Sequence, residues 1–187
     1  SNQYIKNTPS NASNRKTFTF SAWVKRANLS TQQTLMSVNS ANSNSGILHI
    51  YLGSNDKITI SFHAFTLTTT PVLRDSSAWY HIVFVADTTQ AAEGNRFKIY
   101  VNGVQQTLGS SGTFIAQNTD LAFNQSTEHN IARRDGGADR YFAGYLSELH
   151  FIDGTAYQAD SFGEYNKYGG WQPSKPQVTY GTNGFSM

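Results

Sequence analysis

Apolar side chains recur at every second position along most of this 187-residue chain, and a sustained period of 3.6 is almost nowhere to be found. Phe18, Phe20, Ala22 and Val24 alternate with Thr17, Thr19, Ser21 and Trp23. Ile58, Ile60 and Phe62 repeat the pattern, as do Phe97, Ile99 and Val101. Successive side chains of a strand point to opposite faces, so these segments read as strands buried on one side. In Trp79–Ala86 both alternating sets are apolar or aromatic apart from His81, which reads as a strand covered on both faces. Further strands are expected at Leu35–Val38, Ile47–Leu52, Val104–Leu108, Ile131–Arg133 and Arg140–Ile152. Asn102-Gly103 is a two-residue hairpin signal, and Gly53-Ser54-Asn55-Asp56 supplies a second turn. Gly144 inside the last run marks a bulge or a close backbone approach. The helix-like stretch Thr155–Phe162 has room for one or two turns. Ten or more short strands divided by Gly/Asn/Ser turns predict an all-β chain, folded as an antiparallel two-sheet jelly-roll sandwich.

Composition narrows the function classes. Ser, Thr, Asn and Gln number 20, 19, 16 and 11, while charged residues are only 14%. A net charge of +2 without a basic run argues against a nucleic-acid groove. The longest apolar run, Ile82–Ala86, is far short of the ~20 residues a membrane helix needs. With no Cys, disulfides, thiolate zinc sites and Cys nucleophiles are excluded. The first residues carry no signal-peptide core, and the chain reads as an excerpt or a processed piece. Two segments are expected: a jelly roll over 1–157, and an extended Tyr/Gly/Pro-rich tail over 158–187 that straps the domain or links onward.

Four segments, in order, are Phe18–Lys25, Trp79–Val83, Lys98–Gly103 and Gly144–Leu149. Together they resemble the laminin-G-like branch of the concanavalin A-like lectin/glucanase superfamily, over roughly residues 3–155. That resemblance implies a jelly roll that often binds sugars and often carries Ca²⁺. The segments Phe151–Ala156, Ser161–Glu164, Trp171–Pro173 and Tyr180–Phe185 resemble the laminin-G-like proteins of tailed phages of marine bacteria. That further likeness implies a virion part: a fibre, a spike or a capsid decoration.

Glycoside hydrolysis needs two carboxyl groups flanking the scissile bond. The glucanase branch supplies them as Glu-x-Asp-x-x-Glu. The matching strand here reads Glu148-Leu149-His150-Phe151-Ile152-Asp153, with His in the Asp position and no second Glu. The chain is therefore expected not to be an enzyme.

For hard-metal chemistry the first loop to consider is Arg133–Arg140, where Asp135 and Asp139 stand as candidate Ca²⁺ ligands, with Glu148, Asp153, Asp120 and Asp87 as weaker candidates. Three flanking Arg oppose a dication there, and a solvated loop with local Arg–Asp pairs is the simpler reading. Sugar binding asks for an aromatic face plus planar polar groups. Tyr141 with Arg134, Asp135, Asp139 and Arg140 meets that description. Tyr165, Tyr168 and Trp171 form a second aromatic group, expected to pin the tail to its own domain. Trp23 and Trp79 are expected in the core, and His81 and His150 as satisfied sheet residues. The expected role is a virion-surface or extracellular module, multimeric through the virion, whose partner is a bacterial surface glycan or another virion protein. The alternatives are a purely architectural capsid decoration, or a carbohydrate-binding module of an extracellular bacterial protein.

Overall fold

A computed structural model describes residues 3–38, 48–62, 65–134 and 140–187. Two antiparallel sheets face each other. The larger has seven strands in the order β1 (Ile5–Asn7), β11 (His129–Ile131), β3 (Gln33–Val38), β4 (Leu48–Leu52), β5 (Ile58–Phe62), β6 (Phe65–Thr69) and β10 (Leu108–Gly112). The other has six: β15 (Phe185–Ser186), β12 (Gly144–Asp153), β2 (Thr17–Arg26), β7 (Tyr80–Asp87), β8 (Phe97–Val101) and β9 (Val104–Gln105). A separate hairpin pairs β13 (Gly163–Tyr165) with β14 (Trp171–Pro173).

The inner faces follow the alternation. In β2, Phe18, Phe20, Ala22 and Val24 are fully buried and point into the sandwich. Phe20 sits opposite Phe84 of β7 and Phe151 of β12, so three phenylalanines lie abreast across the sheet. The Phe18 ring meets Phe123 at 4.6 Å and both Phe84 and Phe151 at 5.6 Å. These edge-on and tilted contacts avoid the face-to-face sandwich that aromatic pairs disfavour.

The Asn102-Gly103 turn has both residues at positive φ, +49° and +81°, as the tight hairpin between β8 and β9 requires. The returning arm then divides: Val104–Gln105 stays with β8, and Leu108–Gly112 crosses to pair with β6 in the other sheet. Gly144 is a close approach rather than the bulge, for a Cβ there would collide with the Lys25 carbonyl and the Phe142 ring. The bulge falls at the register shift between Ser147 and His150, where Glu148 takes φ +48°.

One expectation needs correction, that of Trp79, and two others are sharpened. Thr155–Phe162 contains one 3-10 turn, Ala159–Ser161, within the one or two turns expected, and it is tied down by Thr19 of β2. Its hydroxyl donates to the Thr155 carbonyl and accepts from the Tyr157 N–H. Trp79 is 40% exposed, since β7 begins one residue after it. Trp23 is buried, but on the outer face of its sheet rather than in the sandwich.

That outer face explains the doubly apolar pattern of β7. Val83, Val85, Tyr100 and Ile152 form a second, smaller core with Ala159 and Phe162, and Tyr157, Trp171, Val178 and Tyr180 pack against it. Residues 157–180 thus cover the outside of the six-stranded sheet.

Candidate functional site

The aromatic residue singled out in the sequence, Tyr141, lies beside the Tyr4 ring, centroids 6.3 Å apart and planes at 55°. They share a cleft of about 980 Å³ with Gln3, Asn28, Ala132 and Phe142 among its walls. Its size is that of a small-molecule site. Pairing of β1 with β11 sets Ile5 opposite Ile131 and so brings the N-terminal Tyr4 to this place. The 140s segment is fixed by backbone bonds from Phe142 N–H to the Ala132 carbonyl and from Thr34 N–H to the Arg140 carbonyl.

One face of Tyr4 is occupied by a cation: the Arg133 guanidinium lies 4.0 Å from its ring centroid. Arg133 also reaches Glu128 at 3.1 Å, and Lys6 reaches the same carboxylate at 3.0 Å. The Lys6 hydrogen bond, reinforced by Lys6 and Arg133 charge, holds the Glu128 carboxyl below its ordinary range despite burial. A charged network therefore backs the Tyr4 ring. The opposite wall is anchored from within. Arg26, at the end of β2 two residues before Asn28, is buried against Asp56 at 3.0 Å and donates to the Leu73 carbonyl at 2.6 Å. Asp56 also accepts from the Ser30 N–H at 2.7 Å, which ties down the segment that carries Asn28.

Arg134 and Arg140 are not among the residues that line this cleft. Their charges reach the outer face of the seven-stranded sheet, where His49 stacks on Tyr51 at 4.4 Å and shares a 2.6 Å hydrogen bond with Thr34. Burial, then the charges of Arg134 and Arg140, push His49 down to about 3. Of the expected constellation, Tyr141 alone among the described residues lines the cleft. Asp135 and Asp139 lie outside the described residues. Among the described residues no group of three or more His, Asp or Glu side chains is placed to hold a metal ion. Tyr4 and Asn28 were missed by sequence reasoning, since nothing local connects positions 4 and 28 with 141.

The glucanase-like strand carries no carboxylate pair of the required kind. Glu148 is exposed, and its neighbour across the bulge is His150 Nε2 at 3.7 Å. Asp153 is buried and accepts the Asn183 N–H at 3.0 Å, a structural use of its carboxylate. His150 shares a 2.8 Å hydrogen bond with the Tyr180 hydroxyl, and burial lowers its pKa against the opposing pull of Glu148.

The tail is fastened by Trp171. Its indole lies between Gly103 of the β8–β9 turn and Gly163 of β13, each so close that a Cβ would fall 2.5–2.6 Å from ring atoms. The ring also meets Tyr165 edge-on at 4.9 Å.

A family model described as the concanavalin A-like lectin/glucanases superfamily, laminin-G type, matches residues 1–160. No curated protein matches in sequence. Among solved structures, the heptameric SAP-like pentraxin of Limulus polyphemus superposes with a TM-score of 0.56 at 16% identity, over 83% of this chain and 71% of that one. The CBM40 of the Ruminococcus gnavus IT-sialidase, bound to α2,3-sialyllactose, gives 0.56 at 14%, over 86% of this chain and 96% of that one. The enzymatically active domain of tailspike protein 2 from bacteriophage CBA120 gives 0.53 at 15%, over 84% of this chain but only 25% of that one. At these identities the likeness is one of fold.

Proposed function

This chain belongs to the concanavalin A-like lectin/glucanase superfamily, and on that premise we propose that it is a non-catalytic carbohydrate-binding module of a virion surface, taking a bacterial surface glycan in the Tyr4–Tyr141 cleft. The observation that carries the reading is the pair of rings 6.3 Å apart in a cleft that also presents the Gln3 and Asn28 amides. An aromatic face takes the C–H surface of a sugar ring, and planar amides serve its hydroxyls. Similarity to a sialyllactose-bound module and to a phage tailspike supports the ligand class and the virion setting. The exposed Glu148 and the structurally engaged Asp153 support binding without hydrolysis. Single lectin-like sites are weak, so the module works in several copies on one particle.

A glycan array and retention on host cells test this directly. Tyr141→Ala is expected to weaken retention about tenfold or more, the scale of losing one stacked aromatic contact. Whether Asp135 and Asp139 serve as candidate Ca²⁺ ligands is tested in the same assay with EDTA, and by Ca²⁺-dependent thermal stabilisation that Asp135→Ala/Asp139→Ala would remove. If no sugar binds and the isolated domain adds to empty capsids, the architectural reading replaces this one.

A further inference from the structure

We infer that the tail builds a second saccharide site, in the cleft between the β13–β14 hairpin and the outer face of β8, selective for sugar rings that bear no carboxylate or phosphate. This deepens the carbohydrate-binding reading and rests on it. The cleft measures about 350 Å³ and is lined by Tyr100, Gln158, Asp160, Glu164, Tyr165 and Trp171, with three small residues between them. That volume is at the lower end for small-molecule sites and suits one ring.

Its walls have a definite chemistry. Tyr165 is 56% exposed and touches Trp171 edge-on, a contact that keeps its ring standing in the cleft wall. Gly163, Glu164, Tyr165 and Trp171 all lie beyond the residues the family model matches, so this wall belongs to the tail and not to the shared fold. The polar groups are dominated by acceptors. The lining holds two carboxylates, Asp160 and Glu164, and no Lys, Arg or His. Gln158 accepts a 3.4 Å bond from the Tyr100 hydroxyl, and Glu164 accepts one from the Gln172 amide at 3.1 Å, which fixes both groups. Asp160 lines the cleft, and its charge, after burial, is the second influence that raises the Tyr100 hydroxyl. A ligand must therefore bring donors. Sugar hydroxyls or an amine do so, whereas uronate, sialate and phosphate meet like charge. At the Tyr4–Tyr141 cleft, by contrast, the Arg133 guanidinium lies over the Tyr4 ring and pairs with Glu128.

The test is a titration of the ¹⁵N-labelled chain with methyl β-galactoside, glucosamine and glucuronate, reading the Trp171 Nε1–H resonance. The first two are expected to shift it with saturation in the millimolar range, and glucuronate to bind at least about tenfold more weakly. Tyr165→Ala abolishes the response, Tyr165→Phe keeps it, and Tyr141→Ala leaves it unchanged. Asp160→Asn with Glu164→Gln, both at exposed positions, brings glucuronate level with the galactoside and serves where Tyr165→Ala loosens the tail. A Trp171 resonance unmoved by all three sugars overturns the inference, as does glucuronate binding as tightly as the galactoside. Tyr141-dependent retention on cells with a silent Trp171 sinks this site alone. A responsive Trp171 without Tyr141-dependent retention sinks the first site alone.

Discussion

The Trp171 indole N–H donates to Nδ1 of His81 across 3.0 Å. Indole nitrogen is only a donor, so Nδ1 must be unprotonated. The imidazole proton is then on Nε2, where it is donated to the Ser21 hydroxyl at 2.9 Å. His81 is fully buried and stacked on Trp23 at 5.1 Å, and both its nitrogens are committed in the neutral form. Adding a proton to His81 puts two N–H groups face to face and breaks the bond that fastens the tail.

The fold should therefore weaken in acid. Burial, with a lesser push from His150, lowers His81 to about 4, and His49 is lowered to about 3. In the unfolded chain both titrate near 6.5, so below that pH the unfolded state binds protons that the folded state refuses. The contribution of these histidines is intact above pH 6.5. It is lost as pH falls towards about 4 for His81 and about 3 for His49, at up to about 1.4 kcal/mol per pH unit for each. Urea midpoints at pH 7.0 and 5.0 measure it; equal midpoints would contradict the assignment.

Gly163→Ala is expected to dislodge the tail. The new Cβ would lie 2.6 Å from Trp171 Cζ2, in a ring already backed by Gly103. Overpacking of this kind costs about 1–3 kcal/mol. The visible result is faster trypsin cleavage after Lys167 and a red-shifted tryptophan emission.

Asp56 and Arg26 form an ion pair in which both side chains are at most 1% exposed. Burial pushes the Asp56 carboxyl up, but the Ser30 N–H, Arg74 and Arg26 outweigh it and hold the carboxyl below its usual range. Asp56→Ala leaves a guanidinium buried without its counter-charge and should cost about 3–5 kcal/mol in chemical denaturation. Arg74→Ala removes a partner that is 63% exposed and should cost under about 1 kcal/mol. Similar losses for the two variants would show that burial is not what sets the cost.

Incubation with host polysaccharide should release no reducing ends, and Glu148→Gln should leave that result and glycan retention unchanged. Hydrolysis abolished by Glu148→Gln would overturn the non-catalytic assignment.

Much of the sandwich was legible because the backbone pleat is local. Phe18, Phe20, Ala22 and Val24 share a face by strand geometry alone, and Asn102-Gly103 reverses the chain by its own φ preference. The end of β11 was less legible: Ala132 takes φ +65° and stops the strand before Arg133, at a residue with no turn preference of its own. The Trp79 expectation failed because the alternation continues one residue past the ladder, and a free strand end leaves its side chain in solvent.

Alternation along β7 determined that both of its faces are covered, but only the tertiary structure decided what covers the second: Trp171, Phe162 and their neighbours returning from the far end of the chain. Likewise Tyr141 stood out in the sequence as a candidate aromatic, whereas Tyr4 joins it only because β1 docks on β11. A side chain's face is fixed by its immediate neighbours along the backbone. Its company is fixed by long-range pairing, and no short stretch of sequence contains that.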